Sequence, residues 1–339
     1  MQLDRRHSPR ELPPQREVKK RLDWSFFKRF EFTPAESEAR RPRALDFEHA
    51  SLDDRVNADK YLLRLKHRQS KHPEIKSDPE EPLGSTFEEF LVEAMRDGDW
   101  FGGKFFRTTE HDDRWNGVDA VIEWPSPTAE GRPVRMAIDF STSRNNGILH
   151  EKLQTINGMA KVKYFRSQIE HDENGKPLEV RAFFPKVILG ADVDMMKQVA
   201  REGVMPGRDH PLRVLMLRQA KRQIDVQIRC AADHYLDMFW GEADLGPEAG
   251  EVCRQIRVAS NPDAVVEALR NAPASAFARL FTKTQKETLD SCLRVQACLD
   301  PMIEETKSVQ IPEPWNTMSQ VSVNHQALSK VMPDTIRQR

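Results

Sequence analysis

Two stretches, GVDAVIEW (Gly117–Trp124) and MAIDFSTS (Met136–Ser143), decide the fold. Each is short and apolar, holds one aspartate among hydrophobic neighbours, and reads as a β-strand. A strand turns successive side chains to opposite faces, so Asp119 shares a side with Val121 and Glu123, away from Val118, Ala120, Ile122 and Trp124. The same alternation sets Asp139 with Ala137 and Ser141, opposite Met136, Ile138 and Phe140. If the strands are neighbours, Asp119 and Asp139 converge on one site. Carboxylates so placed repel one another, and a divalent cation that takes oxygen ligands relieves the repulsion. The structural alternative is a half-exposed sheet on which each acid pairs with Arg114, Arg135 or Arg144.

Upstream, SerThrPheGlu at Ser85–Glu88 has the spacing of a capping box and predicts a helix starting there. Phe87, Phe90, Leu91, Ala94 and Met95 recur at helical spacing as its buried face. Glu88 falls at the margin of that face, with Glu89 and Glu93 well away from it. LysPhePheArgThrThr (Lys104–Thr109) then supplies a first strand, and the turn through Pro125, Pro127, Gly131 and Pro133 completes a three-stranded meander. Asp112 and Asp113 read as a solvated loop before the second strand, and Glu123 as an outer partner to Asp119.

Downstream, Leu149, Leu153, Ile156 and Ala160 predict a helix over 148–165 that covers the sheet. AsnGly at Asn174 signals a turn, and the apolar run Val187–Leu189 a strand buried on both sides. A further helix begins near Asp192, where Asp192 and Asp194 serve as cap and dipole partners more economically than as metal ligands.

With 52 basic and 53 acidic residues among 339, the net charge of -1 gives no global attraction for nucleic acid, so any such contact needs a local patch. Cys230, Cys253, Cys292 and Cys298 lack zinc-site or disulfide spacing and read as reduced thiols. The charged start and the absence of a long apolar run predict a soluble, cytoplasmic chain with no membrane contact. Residues 1–83, rich in Pro, Arg and Glu, read as a largely disordered region with a helix over 52–71. Trp24, Phe26, Phe27, Phe30 and Phe32 interleave with basic residues there, as in a docking segment. Residues 84–205 read as an α/β core, 206–300 as a helical extension able to grip a protein partner, and 301–339 as a mostly irregular tail.

The order helix, three strands, helix, strand, helix, with acids on the second and third strands, resembles the PD-(D/E)XK nuclease superfamily over Ser85–Glu202. Asp112–Glu123, Ala137–Ser143 and Lys161–Phe165 are also similar to uncharacterised bacterial proteins with a nuclease-like core. The fold class so implied is α/β (α+β), a restriction-endonuclease-like mixed sheet flanked by helices, with an α-helical C-terminal extension. By that resemblance Asp119 and Asp139 bind Mg2+ or Mn2+, Glu88 assists, and the substrate is nucleic acid, with DNA favoured. Two departures stand out: Gly117 and Val118 replace the expected proline, and Ser141 occupies the lysine position two residues after the second acid. An ammonium there would position the attacking water and offset charge on the phosphorane. Lys152, on the expected helix after the third strand, is the candidate substitute, whereas Lys163 lies roughly 16 Å further along that helix and is a poorer one. Loss of the lysine also fits a second reading, a catalytically inactive nuclease-fold binding module. No phosphate-binding loop, dinucleotide fingerprint, nucleophile elbow or zinc-protease motif occurs.

Overall fold

A computed structural model describes residues 25–54 except 33, scattered positions to 63, and then 81–126, 131–141, 159–191, 193–237, 246–259, 262–276 and 283–312. Its architecture is mixed α and β. The N-terminal segment contains a 3-10 turn (Ser25–Phe30), helix α1 (Pro34–Ala39) and a second 3-10 turn (Ala44–Asp46). Helix α2 (Glu81–Asp97), strand β1 (Lys104–Arg107), helix α3 (Glu110–Asn116), β2 (Ala120–Trp124), β3 (Val134–Ser141), β4 (Met159–His171) and β5 (Pro177–Gly190) follow. Helices α4 (Val193–Glu202), α5 (Pro211–Asp237), α6 (Pro247–Val258), α7 (Pro262–Arg270) and α8 (Lys283–Glu305) complete the described chain.

The strands form one five-stranded mixed sheet in the order β1-β2-β3-β5-β4. β1, β2 and β3 make the antiparallel meander, with Ala120 opposite Ile138 and Trp124 opposite Val134. β5 then runs parallel to β3, pairing Ala137 with Lys186 and Asp139 with Ile188, and β4 lies antiparallel on its far side. One sheet face buries Ala120, Ile122, Met136, Ile138, Val187 and Leu189 against the helices. The other packs Val121 and Ala137 against Ala160, Val162, Phe165 and Phe184 of the β4–β5 pair. Among the described residues no helix is long and apolar enough to cross a membrane.

Three expectations are corrected. Residues 159–165 are strand, and 148–158 of the expected helix lie outside the described residues. Ala160, Val162 and Tyr164 are buried in alternation with Lys161 and Lys163, and pairing with β5 selects period two over the helical spacing that Ala160 also satisfies. Helix α2 begins at Glu81, so Ser85 lies inside it and is no N-cap. The N-terminal segment is part of the core: Phe27 and Phe30 are buried edge-on against Phe90, with ring centroids 5.3 and 5.5 Å away. Aromatic burial of this size outweighs a Pro- and Arg-rich composition.

Helix α5 is joined to the sheet by a row of glutamines. Alternate residues of a strand direct their backbone groups to opposite edges, and beyond Pro185 β5 has no pairing with β4. There Gln223 accepts from Ile188 N (2.8 Å) and donates to Ile188 O (2.7 Å). Gln219 does the same for Gly190, both at 2.9 Å, and Gln227 donates to Lys186 O at 2.6 Å. A buried peptide without partners is costly, so Gln223→Leu is expected to destabilise the protein by about 2–3 kcal/mol in urea denaturation. Exposed Gln255→Leu on α6 should stay within about 0.5 kcal/mol of wild type. Equal stabilities for the two variants would refute this role for the row.

Candidate active site

Helix α3 and its exit place the first acid. Thr109 caps the helix by accepting from Asp112 N, and Gly117 ends it in the left-handed region (φ 58, ψ 46). A β-carbon on Gly117 would lie 2.9 Å from Lys186 Nζ and 3.6 Å from Asp139 Oδ2, so the left-handed backbone favours glycine and a side chain there would push on the Lys186 ammonium. Two residues on, Asp119 N donates to Ile138 O at 2.8 Å, which fixes Asp119 against β3 next to Asp139, just before Ala120, the first paired residue of β2, itself opposite Ile138. Phe140 N donates to Asp119 Oδ2 at 2.6 Å. Both aspartates are buried.

The structure therefore brings Asp119 and Asp139 together, and it adds a lysine that the sequence reading missed. Lys186 Nζ lies 3.0 Å from Asp139 Oδ2, on the parallel strand β5, with both side chains less than a tenth exposed. Ser141 stands two residues after Asp139 on β3, and it is β5 that supplies an ammonium to the Asp139 carboxylate. Lys152 lies outside the described residues. Lys163 is on β4 and pairs with Asp54.

Glu88 joins the group from α2. Its Oε1 accepts from Arg41 NH2 at 2.6 Å and Arg107 NH2 at 3.0 Å, and Arg41 NH2 also reaches Asp113 Oδ2 at 2.9 Å. Glu89, expected to face away, is buried and paired with Arg107 and Ser37, because the N-terminal segment packs over that side of α2. Burial pushes the Asp119 carboxyl up to about 8, assisted by Asp113 and Asp139 and opposed by Arg41 and the Phe140 amide. Burial also lifts Glu88 to about 7, assisted by Asp119 and opposed by Arg41 and Arg107.

The other acids singled out in the sequence have structural work. Glu123 is fully buried and accepts from Arg135 Nε (2.8 Å), Ser167 Oγ (2.7 Å) and Gln168 N (3.0 Å), which corrects its reading as an outer partner of Asp119. Asp112 is not in a solvated loop: it is buried on α3 and accepts from Lys163 N and Tyr164 N, both at 2.8 Å, holding β4. Asp113, also on α3, takes Arg41 as described. Asp194 is exposed and paired with Lys197, and Asp192 lies outside the described residues.

Among the described residues no three His, Cys, Asp or Glu side chains converge closely enough to hold a metal ion. The acids are instead engaged separately, Asp139 by Lys186, Glu88 by two arginines and Asp119 by a backbone amide. The donor chemistry nevertheless fits a hard divalent cation, since the set is all carboxylate oxygen, and Asp119 and Glu88, raised mainly by burial and further by neighbouring acids, are carboxyls whose ionised form a cation would stabilise. Comparison with known family models, curated proteins and solved structures finds no match.

Proposed function

We propose that this chain is a metal-dependent nuclease with a restriction-endonuclease-like core, hydrolysing phosphodiester bonds of nucleic acid, with DNA the favoured substrate. The observation that carries the reading is the buried Lys186–Asp139 pair at 3.0 Å, one strand from Asp119. Asp119 and Asp139 would hold Mg2+ or Mn2+, with Glu88 as the assisting acid on α2. The cation would supply Lewis-acid polarisation of a phosphate oxygen. Lys186 orients the attacking water and faces negative charge building on the phosphorane oxygens. As water bonds to phosphorus it gives up a proton, the ester P–O bond breaks, and the departing oxygen takes up a proton. Arg107, held by Glu88 and Glu89, keeps α2 against β1 and so fixes the height of Glu88.

The alternative, a non-catalytic binding module on the same scaffold, drew its support from Ser141. Lys186 answers that departure and favours the enzyme. The test is incubation of plasmid and linear DNA with purified protein in Mg2+ or Mn2+, beside Asp139→Asn. Cleavage by wild type alone is expected. Binding without cleavage in wild type would favour the module, and identical products from both proteins would exclude the proposed site.

A further inference from the structure

Among the described residues, the acid cluster contains one cation that does not come from the sheet or its covering helices. Arg41 belongs to the N-terminal strap, residues 34–54, and its side chain is only 5% exposed. It bridges Glu88 on α2 and Asp113 on α3, the outer acids of the cluster, with side-chain exposures of 22% and 30%. Asp119 and Asp139 lie deeper.

The strap is anchored on both sides of Arg41. Before it, Ser37 bonds Glu89 and Arg40 pairs with Glu93 at 3.1 Å. After it, His49 bonds Lys163 O at 2.7 Å and Glu179 at 2.9 Å, and Asp54 accepts from Tyr164 OH at 2.6 Å. Apart from Phe47, which is buried with Ala44 against Tyr164, the anchors are polar and several are exposed, which leaves them open to competition from ions.

We propose that Arg41 is a resident counter-ion for the acid cluster, which a divalent cation must displace, so that the strap gates entry of the metal. The inference rests on the metal-dependent reading of the same acids. Lys186 keeps Asp139 when the strap moves and Arg107 keeps Glu88 and Glu89, losing only Ser37, whereas Arg41 moves with the strap. The Arg41 guanidinium spans Glu88 and Asp113, and Arg107 also holds Glu88. A divalent cation on Asp119 and Asp139 that draws in Glu88 brings two charges and needs the carboxylate that Arg41 engages. Displacement frees residues 34–54 at the moment the site is loaded.

If the strap is closed nine-tenths of the time, apparent metal affinity is reduced about tenfold, and Arg41→Gln restores it. The experiment is calorimetric titration of the full chain with Mn2+ alone, for wild type and Arg41→Gln, together with amide hydrogen exchange of wild type with and without Mn2+. The expected result is about tenfold tighter binding by Arg41→Gln and faster exchange over residues 34–54 of wild type in Mn2+. Uptake by the variant alone would support the gate equally. Equal or weaker uptake by the variant, with wild type binding normally, overturns the gate and leaves the metal reading standing. Uptake by neither protein overturns both. Should Arg41→Gln fail to fold, exchange in wild type decides, and unchanged protection of residues 34–54 under saturating Mn2+ refutes displacement.

Discussion

Lys186→Met is expected to destabilise the fold by about 3 kcal/mol and to lower metal-dependent cleavage by about 100- to 1,000-fold. Methionine keeps most of the aliphatic volume, so the change isolates the ammonium. In wild type that ammonium and the Asp139 carboxylate are both buried, and withdrawing one partner leaves the other facing a low-dielectric interior. Asp139→Asn in the Lys186→Met background removes the stranded charge and should recover much of the stability, with cleavage still absent. Urea denaturation of the four proteins gives the coupling directly. Additive destabilisation by the two single changes would mean that the pair does not interact energetically. A Lys186→Met protein of wild-type cleavage rate would remove the lysine from the chemistry.

The second large effect is on pH dependence. Without metal, stability should fall by a few kcal/mol as pH rises from about 5 to about 8. Native Asp119 holds its proton up to about 8, whereas the unfolded chain releases it near 3.8. Between those values the native state binds more protons than the unfolded state, so raising the pH favours unfolding. Glu88, lifted from 4.5 to about 7, acts in the same direction over a narrower range. Asp119→Asn keeps an oxygen for the Phe140 amide and should flatten the profile. Denaturation in chelator at about pH 5.5, 7 and 8.5 measures the slope. A wild-type stability that rises across this range would contradict the electrostatic account of the site.

The meander was legible because alternation in two short strands is a local property, and so was the buried strand at Val187–Leu189. The alternation stops at Ala120, however: Val118 packs with Val121 and Ala137 rather than with Ala120 and Ile122, and Asp119 meets Asp139 from the exit of α3, ahead of β2. Lys186 was harder to read. It reaches the site through a parallel pairing between β3 and β5, which no local spacing encodes. A signal was present nonetheless: PheProLysValIleLeu sets one charge at the head of a run buried on both faces, and a buried lysine needs a partner. Arg41 was hidden by composition, since a Pro- and Arg-rich segment reads as a tail until Phe27 and Phe30 find Phe90. Asp112 and Glu123 carried the opposite difficulty. Their acidity points to chemistry, yet long-range backbone amides of β4 claim both: Lys163 and Tyr164, inside the expected helix, bond Asp112, and Gln168, beyond it, bonds Glu123.

The glutamines of α5 fall at every fourth helical position and meet every second strand position. Four helical residues advance about 6.0 Å and two strand residues about 6.6 Å, so a rod and a ribbon can mesh tooth against tooth for a few steps before drifting out of phase. Such a rack permits no small slippage: the helix re-engages only after a jump of about one turn. The height of the Lys186 backbone is thereby indexed to α5, and a distant push on that helix would be either absorbed or transmitted as a whole notch.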